Sequence, residues 1–356
     1  MQNLRASVII ATYNRAHVIC RAISSALAAI RPGDEVIVID DGSVDQTERV
    51  IAPYRDRIRY LAVEHRGAGA ARNRGIREAK NELIAFLDSD DEWLPGQLEL
   101  QRRLMEVHAD ILFSFSNFMS DTHGKQIHRM LDSWRRGVTS WDQVLGPGLR
   151  FSSSARLPAG FSDFNFHVGD LSCWEMADWY FSTLTLVVRR KEAGDALHFA
   201  EDLPIYEDWE FCGLLAKKGF AAYLDCETAV NYGHKGARLT NADILTQALS
   251  ALQVLDRVWG ADSAFMSKHG ELYRRTVAKW QLRKIEGLIV QGNTRQARAE
   301  MSGRDNLSLR WPLSLLVKLP GGIAGPIAKT ARGARRLSLR VRQLFAFSRQ
   351  PRGAAT

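Results

Sequence analysis

Long apolar runs and paired cysteines are both missing from this sequence. No uninterrupted apolar stretch approaches the ~20 residues a membrane-spanning helix needs, since Arg310, Lys318 and Lys329 break up the leucine-rich C-terminal region. The four cysteines, Cys20, Cys173, Cys212 and Cys226, form no C-x-x-C pair and lie far apart. That spacing argues against a disulfide framework or a thiolate zinc site and suits a reduced compartment. Only five residues separate Met1 from the apolar segment Ser7 to Ala11, which leaves no room for a charged region followed by a signal-peptide core. A cytoplasmic protein is expected.

Acidic residues are scarce in one place. Residues 301–356 carry eleven Lys and Arg against the single acid Asp305, a net of +10, which leaves −2 for residues 1–300 out of the total of +8. The basic character therefore belongs to the tail, and with a near-neutral body nucleic-acid binding by the main domain loses most of its support, so no nucleic-acid partner is expected. With 356 residues, 46% of them hydrophobic, the chain can bury a full core and carry an appendage.

Short apolar runs alternate with helical patterns from the start, predicting an α/β fold with a largely parallel sheet. Expected strands are Ser7–Ala11, Glu35–Ile39, Ile58–Val63, Leu83–Leu87 and Ile111–Phe115. Expected helices between them are Ala16–Ile30, Asp45–Tyr54, Ala68–Ala79 and Leu94–Val107, with Pro95 suited to the first turn of the last. Residues 119–180 mix Ser, Gly, Trp, Phe and His without a clear period and read as loops and short elements, a length of irregular chain that is usually functional. A strand at Leu184–Val188, a helix near Trp209–Lys217, a short strand at Ala221–Leu224 and helices over Ala242–Val258 and Glu271–Ile289 follow.

Ligands of open α/β sheets bind at the carboxyl ends of strands, so the loops after the strands carry the chemistry. The first strand ends in Thr12-Tyr13-Asn14-Arg15, and the second in Asp40-Asp41-Gly42-Ser43, followed by Asp45 and Thr47. A carboxylate there can accept hydrogen bonds from a base or a ribose; the plainer reading is that Asp41 and Ser43 cap the next helix. The fourth strand ends in Asp88-Ser89-Asp90-Asp91, a D-x-D arrangement. Three carboxylates within four residues repel one another, and Mg²⁺ or Mn²⁺ would relieve that repulsion while keeping positions open for substrate phosphates. A solvated acidic loop capping the next helix is the alternative.

Taken in order and spacing, SVIIATYNR (7–15), VIVIDDGSVDQT (36–47), GAGAARNRGI (67–76) and FLDSDDEWLP (86–95) resemble glycosyltransferase family 2. The resemblance implies a GT-A, Rossmann-like nucleotide-sugar domain and an inverting, single-displacement transfer. By that resemblance Ala11, Thr12 and Tyr13 line the nucleotide pocket and Asp41 contacts the base. Arg72 and Asn73 match the family's ARN element beneath the donor, Asp88 and Ser89 face the ribose or metal region, and Asp90 is the metal ligand. The stretch GAGAAR is not a dinucleotide fingerprint, because it follows the third strand and its sixth position is Arg72.

Later, Glu207-Asp208-Trp209-Glu210 opens a helix and resembles the family's acidic ED segment, which would make Asp208 the catalytic base. An attacking hydroxyl must lose its proton to a carboxylate opposite the leaving group, and the same acids also complement the positive end of the helix. His234 stands where many relatives carry a histidine near the diphosphate and metal. The Q/R-x-x-R-W signature of processive synthases is absent around Arg274 and Trp280, so the transfer of a single sugar is expected. The expected partners are a nucleotide-diphosphate sugar, with UDP as the nucleotide, and a glycan or lipid-linked acceptor.

These readings divide the chain into a GT-A domain over 1–238 (nucleotide-sugar half 1–118, acceptor half 119–238), a helical extension over 239–300 and a basic tail over 301–356. In the tail, Leu337, Val341, Leu344 and Phe345 fall on one helical stripe flanked by arginines, as in a helix lying on an anionic membrane surface. A peripheral position on the cytoplasmic face of the inner membrane follows; a solvated tail is the alternative. A sugar-phosphate nucleotidyltransferase would show a Gly-rich basic loop where Thr12-Tyr13-Asn14-Arg15 stands, and a noncatalytic membrane- or RNA-binding module leaves Asp88, Asp90 and Asp208 unexplained.

Overall fold

The protein is described by a computed structural model covering residues 3–134, 140–233, 242–302, 318–320 and 322–330. Its elements run β1 (Ala6–Thr12), α1 (Ile19–Ala29), β2 (Glu35–Asp40), α2 (Thr47–Ile51), β3 (Arg59–Ala62), α3 (Ala68–Glu78), β4 (Leu83–Phe86), β5 (Glu92–Trp93), α4 (Gln97–Val107) and β6 (Ile111–Thr122). There follow β7 (Lys125–Ile127), α5 (Met130–Trp134), α6 (Trp141–Leu145), β8 (Leu149–Arg150), β9 (Asn165–Gly169), α7 (Ser172–Ala177), β10 (Val187–Arg189), α8 (Arg190–Ala193), α9 (Glu207–Lys218) and β11 (Phe220–Tyr232). The last are α10 (Ile244–Leu255), α11 (Ser263–Val290) and α12 (Thr294–Ser302).

The sheet has the order β3-β2-β1-β4-β10-β6-β11-β9-β8, with β5 on β11 and β7 on β6. Strands β3, β2, β1 and β4 are mutually parallel, as are β6 and β11, while β10 enters antiparallel between β4 and β6. The expected α/β class, a mixed and largely parallel sheet flanked by helices, is the one observed. β1 is buried along nearly its whole length because helices cover both faces, which explains its continuous apolar run. α1 buries Ile19, Ala22, Ile23, Ala26 and Leu27, one helical stripe. α3 lies unusually close to the sheet: a Cβ on Gly75 would fall 2.4 Å from Ile9 Cγ2.

Several element boundaries differ from expectation. β6 and β11 run through polar stretches well past Phe115 and Leu224. The segment at Leu184 is a 3₁₀ turn, and the strand starts only at Val187. α4 starts at Gln97 beyond Gly96, whose φ of +88° ends the extended chain, so Pro95 precedes the helix rather than sitting in its first turn. Within 119–180, β9 joins the main sheet against β11.

The chain forms two compact units. One, Met1–Leu239 with Val254–Tyr273, contains the sheet. The other, Thr240–Gln253 with Arg274–Thr356, is helical where described and has its own core of Ile285, Leu288, Ile289, Ala297, Ala324 and Ala328. Gly287 lets α11 approach α10, since a Cβ there would lie 2.8 Å from the Leu245 backbone. The stripe from Leu337 to Phe345 lies outside the described residues. Among the described residues no helix is long and apolar enough to cross a membrane.

Candidate active site

Four strand-end loops and the N-terminus of α9 converge at the carboxyl edge of the sheet. The loops after β1 and β2 are stitched together: Asn14 N donates to Ser43 Oγ (2.9 Å), Val44 N to Asn14 Oδ1 (2.9 Å) and Asp41 N to Thr12 O (2.9 Å). Asn14 adopts φ +53°, the left-handed region that asparagine tolerates. Neither Asp41 nor Ser43 caps α2, which starts at Thr47 without a side-chain cap. The Asp41 carboxylate is instead buried, accepting from Arg66 N (2.9 Å) and Gly67 N (2.8 Å), while His65 Nδ1 bonds the Asp41 main-chain O (3.0 Å) and lies 2.8 Å from the carboxylate. It fixes the approach to α3. His65 in turn stacks on the half-exposed ring of Tyr13, with centroids 4.0 Å apart. Ala11 is partly buried, and Thr12 is fully so, with no hydrogen-bond partner for its Oγ1.

The loop after β4 sorts its three acids. Asp91 turns inward, is almost fully buried, and accepts from Asn231 Nδ2 (3.0 Å) and Tyr232 N (2.9 Å), pinning the loop to the end of β11. Burial pushes its carboxyl well above the usual range, and Asp88 and Asp90 push it further. The repulsion expected of three clustered acids is thus partly relieved by burying one. Ser89 is buried. Asp88 and Asp90 stay partly exposed, Asp88 paired with Arg72 (3.0 Å) and Asp90 with Arg15 at 3.9 Å. Arg21, its guanidinium 3.6 Å from the Tyr232 ring centre, donates to Asp90 O (2.7 Å). Among the described residues no group of three or more acids, histidines or cysteines encloses a metal position. Two neighbouring carboxylates fit a hard cation held by one or two protein oxygens and by substrate phosphates. His234 lies outside the described residues.

Arg72 joins this loop to α9. Its Nη2 donates to Asp88 Oδ1 (3.0 Å) and its Nη1 to Glu207 Oε1 (3.2 Å). Burial works against its charge, but Asp88 and Glu207 outweigh burial and keep it protonated. Asn73, one residue on, clamps the chain 126 positions away: Nδ2 donates to Phe199 O (2.8 Å) and Phe199 N to Oδ1 (2.8 Å). The ARN element thus serves as a brace between α3 and the second half of the sheet-bearing unit.

Asp208 sits in the first turn of α9, two residues after Tyr206, whose φ of +74° is strained for an aromatic residue. Its carboxylate accepts from Trp209 N (2.8 Å). Desolvation, followed by the charge of Glu207, pushes it up to about 7, with Arg72 pulling the other way. That value suits proton transfer near neutrality. Behind it, Glu175 is wholly buried: Oε2 accepts from Tyr180 N (3.0 Å) while Oε1 has no partner. Burial pushes this carboxyl well up, and nearby Asp208 and Asp178 add to the effect. Sequence reasoning missed Glu175 and Trp179, because nothing in 119–180 repeats a pattern.

Residues 7–155 match the family model for glycosyl transferase family 2. The chain is 38% identical over 120 residues to a UDP-Glc:α-D-GlcNAc-diphosphoundecaprenol β-1,3-glucosyltransferase of Escherichia coli, covering 33% of this chain and 47% of that one. It is 39% identical over 108 residues to an uncharacterized glycosyltransferase of Nostoc, 29% of this chain and 33% of that one. The matches therefore span less than half the length of these relatives. Among solved structures, S. aureus TarS residues 1–349 in complex with UDP-GlcNAc superposes with a TM-score of 0.51 at 18% identity, covering 83% of this chain and 88% of that one. A mannosyltransferase of Pyrobaculum calidifontis in complex with GDP-Man and Mn²⁺ gives 0.51 at 16% identity, with 89% and 79% covered. At these identities the structural likeness speaks for the fold.

Proposed function

We propose that the chain is a glycosyltransferase of family 2, whose model matches residues 7–155, and that it transfers one sugar, with inversion, from a UDP-sugar to a hydroxyl of a glycan or lipid-linked acceptor. The observation that carries the reading is the Arg72 bridge, which links Asp88 of the β4 loop to the acidic turn holding Asp208. One side of that bridge is the donor side, where Ala11, Thr12, Tyr13 and Asp41 line the nucleotide pocket, Asp88 and Ser89 face the ribose or the metal region, and Arg72 and Asn73 brace the donor site from beneath. The other is the acceptor side, where Asp208 takes the proton of the attacking hydroxyl. Asp90, with Asp88 beside it, would hold Mn²⁺ or Mg²⁺, which when bound supplies neutralisation of charge on the leaving diphosphate.

The test is titration of UDP-, GDP- and TDP-sugars with Mn²⁺ or with EDTA, for the wild type and Asp90→Ala. Mn²⁺-dependent binding of a UDP-sugar that Asp90→Ala loses is the expected result. Failure of every nucleotide sugar to bind under either condition overturns the reading. The net charge of +10 over 301–356 and the diphosphoundecaprenol-linked acceptor in the name of the E. coli relative support peripheral attachment to an anionic membrane surface on its cytoplasmic face. Flotation with anionic vesicles, lost on deletion of 301–356, is the corresponding check.

A further inference from the structure

Beside Asp208, the molecule has built an aromatic wall that the donor reaction does not call for. Trp209, with under 2% of its surface exposed, donates from Nε1 to Glu175 O (2.8 Å), and Trp259 behind it donates to Ser172 O (3.0 Å). Both indoles are thereby fixed at their polar ends, with ring centres 5.9 Å apart. Two half-buried rings lean on this wall: Trp179 lies 4.9 Å from Trp209 and 5.2 Å from Tyr206, and Tyr206 meets Trp209 edge-on at 5.9 Å. Tyr206 and Trp209 flank the Glu207–Asp208 pair in sequence, so the rings and the carboxylate share one helical turn.

The arrangement is held at a cost. Tyr206, at the start of α9, keeps a left-handed backbone that is strained for an aromatic residue. The turn that presents Trp179 is tied on both sides, Trp179 N donating to Asp178 Oδ1 (3.3 Å) and Tyr180 N to the buried Glu175 (3.0 Å). A fully buried carboxyl with one oxygen unpartnered is expensive. An apolar residue would cost less there but would release the Tyr180 amide and with it the Trp179 turn. Strain and an orphaned polar atom at one place mark a segment kept for function rather than stability.

We propose that Trp179 and Tyr206 form the acceptor subsite, stacking on a pyranose ring of the acceptor so that its hydroxyl meets Asp208, and that Glu175 is a positioning residue holding Trp179 in place. The apolar C–H face of a pyranose matches an aromatic face, and a sugar ring lying flat on it has its equatorial hydroxyls directed sideways, toward a carboxylate beside the platform. The acceptor is on this account a carbohydrate at the point of attack, whatever carries it. The inference rests on Asp208 as the base.

Binding of hexyl pyranosides of glucose, galactose, mannose and N-acetylglucosamine, followed by ligand-observed NMR without nucleotide, tests it, with hexanol as the arm that lacks a ring. At least one pyranoside binds the wild type more tightly than hexanol. Trp179→Ala weakens that binding about tenfold, Trp179→Phe restores it to within about threefold, and affinity for the UDP-sugar is unchanged in both. Glu175→Gln, which keeps an acceptor for Tyr180 N, leaves pyranoside affinity intact, whereas Glu175→Leu weakens it as Trp179→Ala does. Equal binding of hexanol and every pyranoside, or pyranoside affinity indifferent to Trp179→Ala, overturns the platform. So does joint loss of pyranoside and nucleotide affinity in Trp179→Ala, which would mark a general structural role. Failure of the donor reading appears separately, as absence of UDP-sugar binding to the wild type.

Discussion

Two acidic turns face each other across Arg72, and they are built on opposite plans. In the loop after β4, one of three acids is sealed into the protein by β11 and the other two remain half-exposed with arginines alongside. At the start of α9, Glu207 takes the near arm of Arg72 and Asp208 is left in a desolvated pocket beside a second charge. The first plan leaves two carboxylates accessible with arginines alongside, which suits holding a cation and a diphosphate. The second raises a carboxyl's affinity for a proton, which suits accepting one. Similar sequences, DSDD and EDWE, thus acquire different chemistry from burial and from where one guanidinium points.

Variants on the two sides of that contrast fail differently. Asp208→Asn keeps the shape and removes the base: transfer falls about a thousandfold while UDP-sugar affinity, read by calorimetry, stays at the wild-type value. Asp90→Ala does the reverse, weakening Mn²⁺-dependent donor binding about a hundredfold, with the pH profile of the residual transfer unchanged. In the wild type, protonation of Asp208 below its value of about 7 removes the base, so kcat/KM falls about tenfold per unit on the acid side and levels off above. Arg72→Met is the finest probe. Arg72 holds the Asp208 carboxyl lower than burial alone would, so the acid limb moves up by about one unit. A limb that moves down, or that Asp90→Ala moves equally, dissolves the contrast.

The parts of this site that were legible in the sequence lie at strand ends. β1, β2 and β4 are buried on both faces and read as plain apolar runs, so the polar residues that follow them stood out, and Asp41, Asp88 and Asp90 fell where expected along the sheet. What those residues touch was less accessible: the burial of Asp91 depends on Asn231 and Tyr232, 140 and 141 positions on. β6 and β11 were cut short because their inner residues are polar. Ser116 and Asn117 read as lying past the end of a strand, yet both are buried and satisfied by Thr228 and Tyr223. The register shifts along the β6–β11 pair break the alternation as well. Trp179 was invisible for a third reason: its place is set by Glu175, a hydrogen bond to a backbone amide, which leaves no periodic trace.

The insertion of β10 between β4 and β6 also governs how the molecule is made. On the ribosome, β4 is complete at Phe86, but the strand that closes its free edge begins only at Val187. At roughly 5–20 residues per second that interval is about 5–20 s, during which a four-stranded parallel fragment carries an open apolar edge prone to pairing with other chains. The Asn73 side chain waits longer still, for Phe199. The N-terminal residues with the loops after β1, β2 and β4 are therefore not a separable module. Truncation before residue 190 would leave an aggregation-prone fragment, and in the cell the first half depends on the second, or on a chaperone, to cover it.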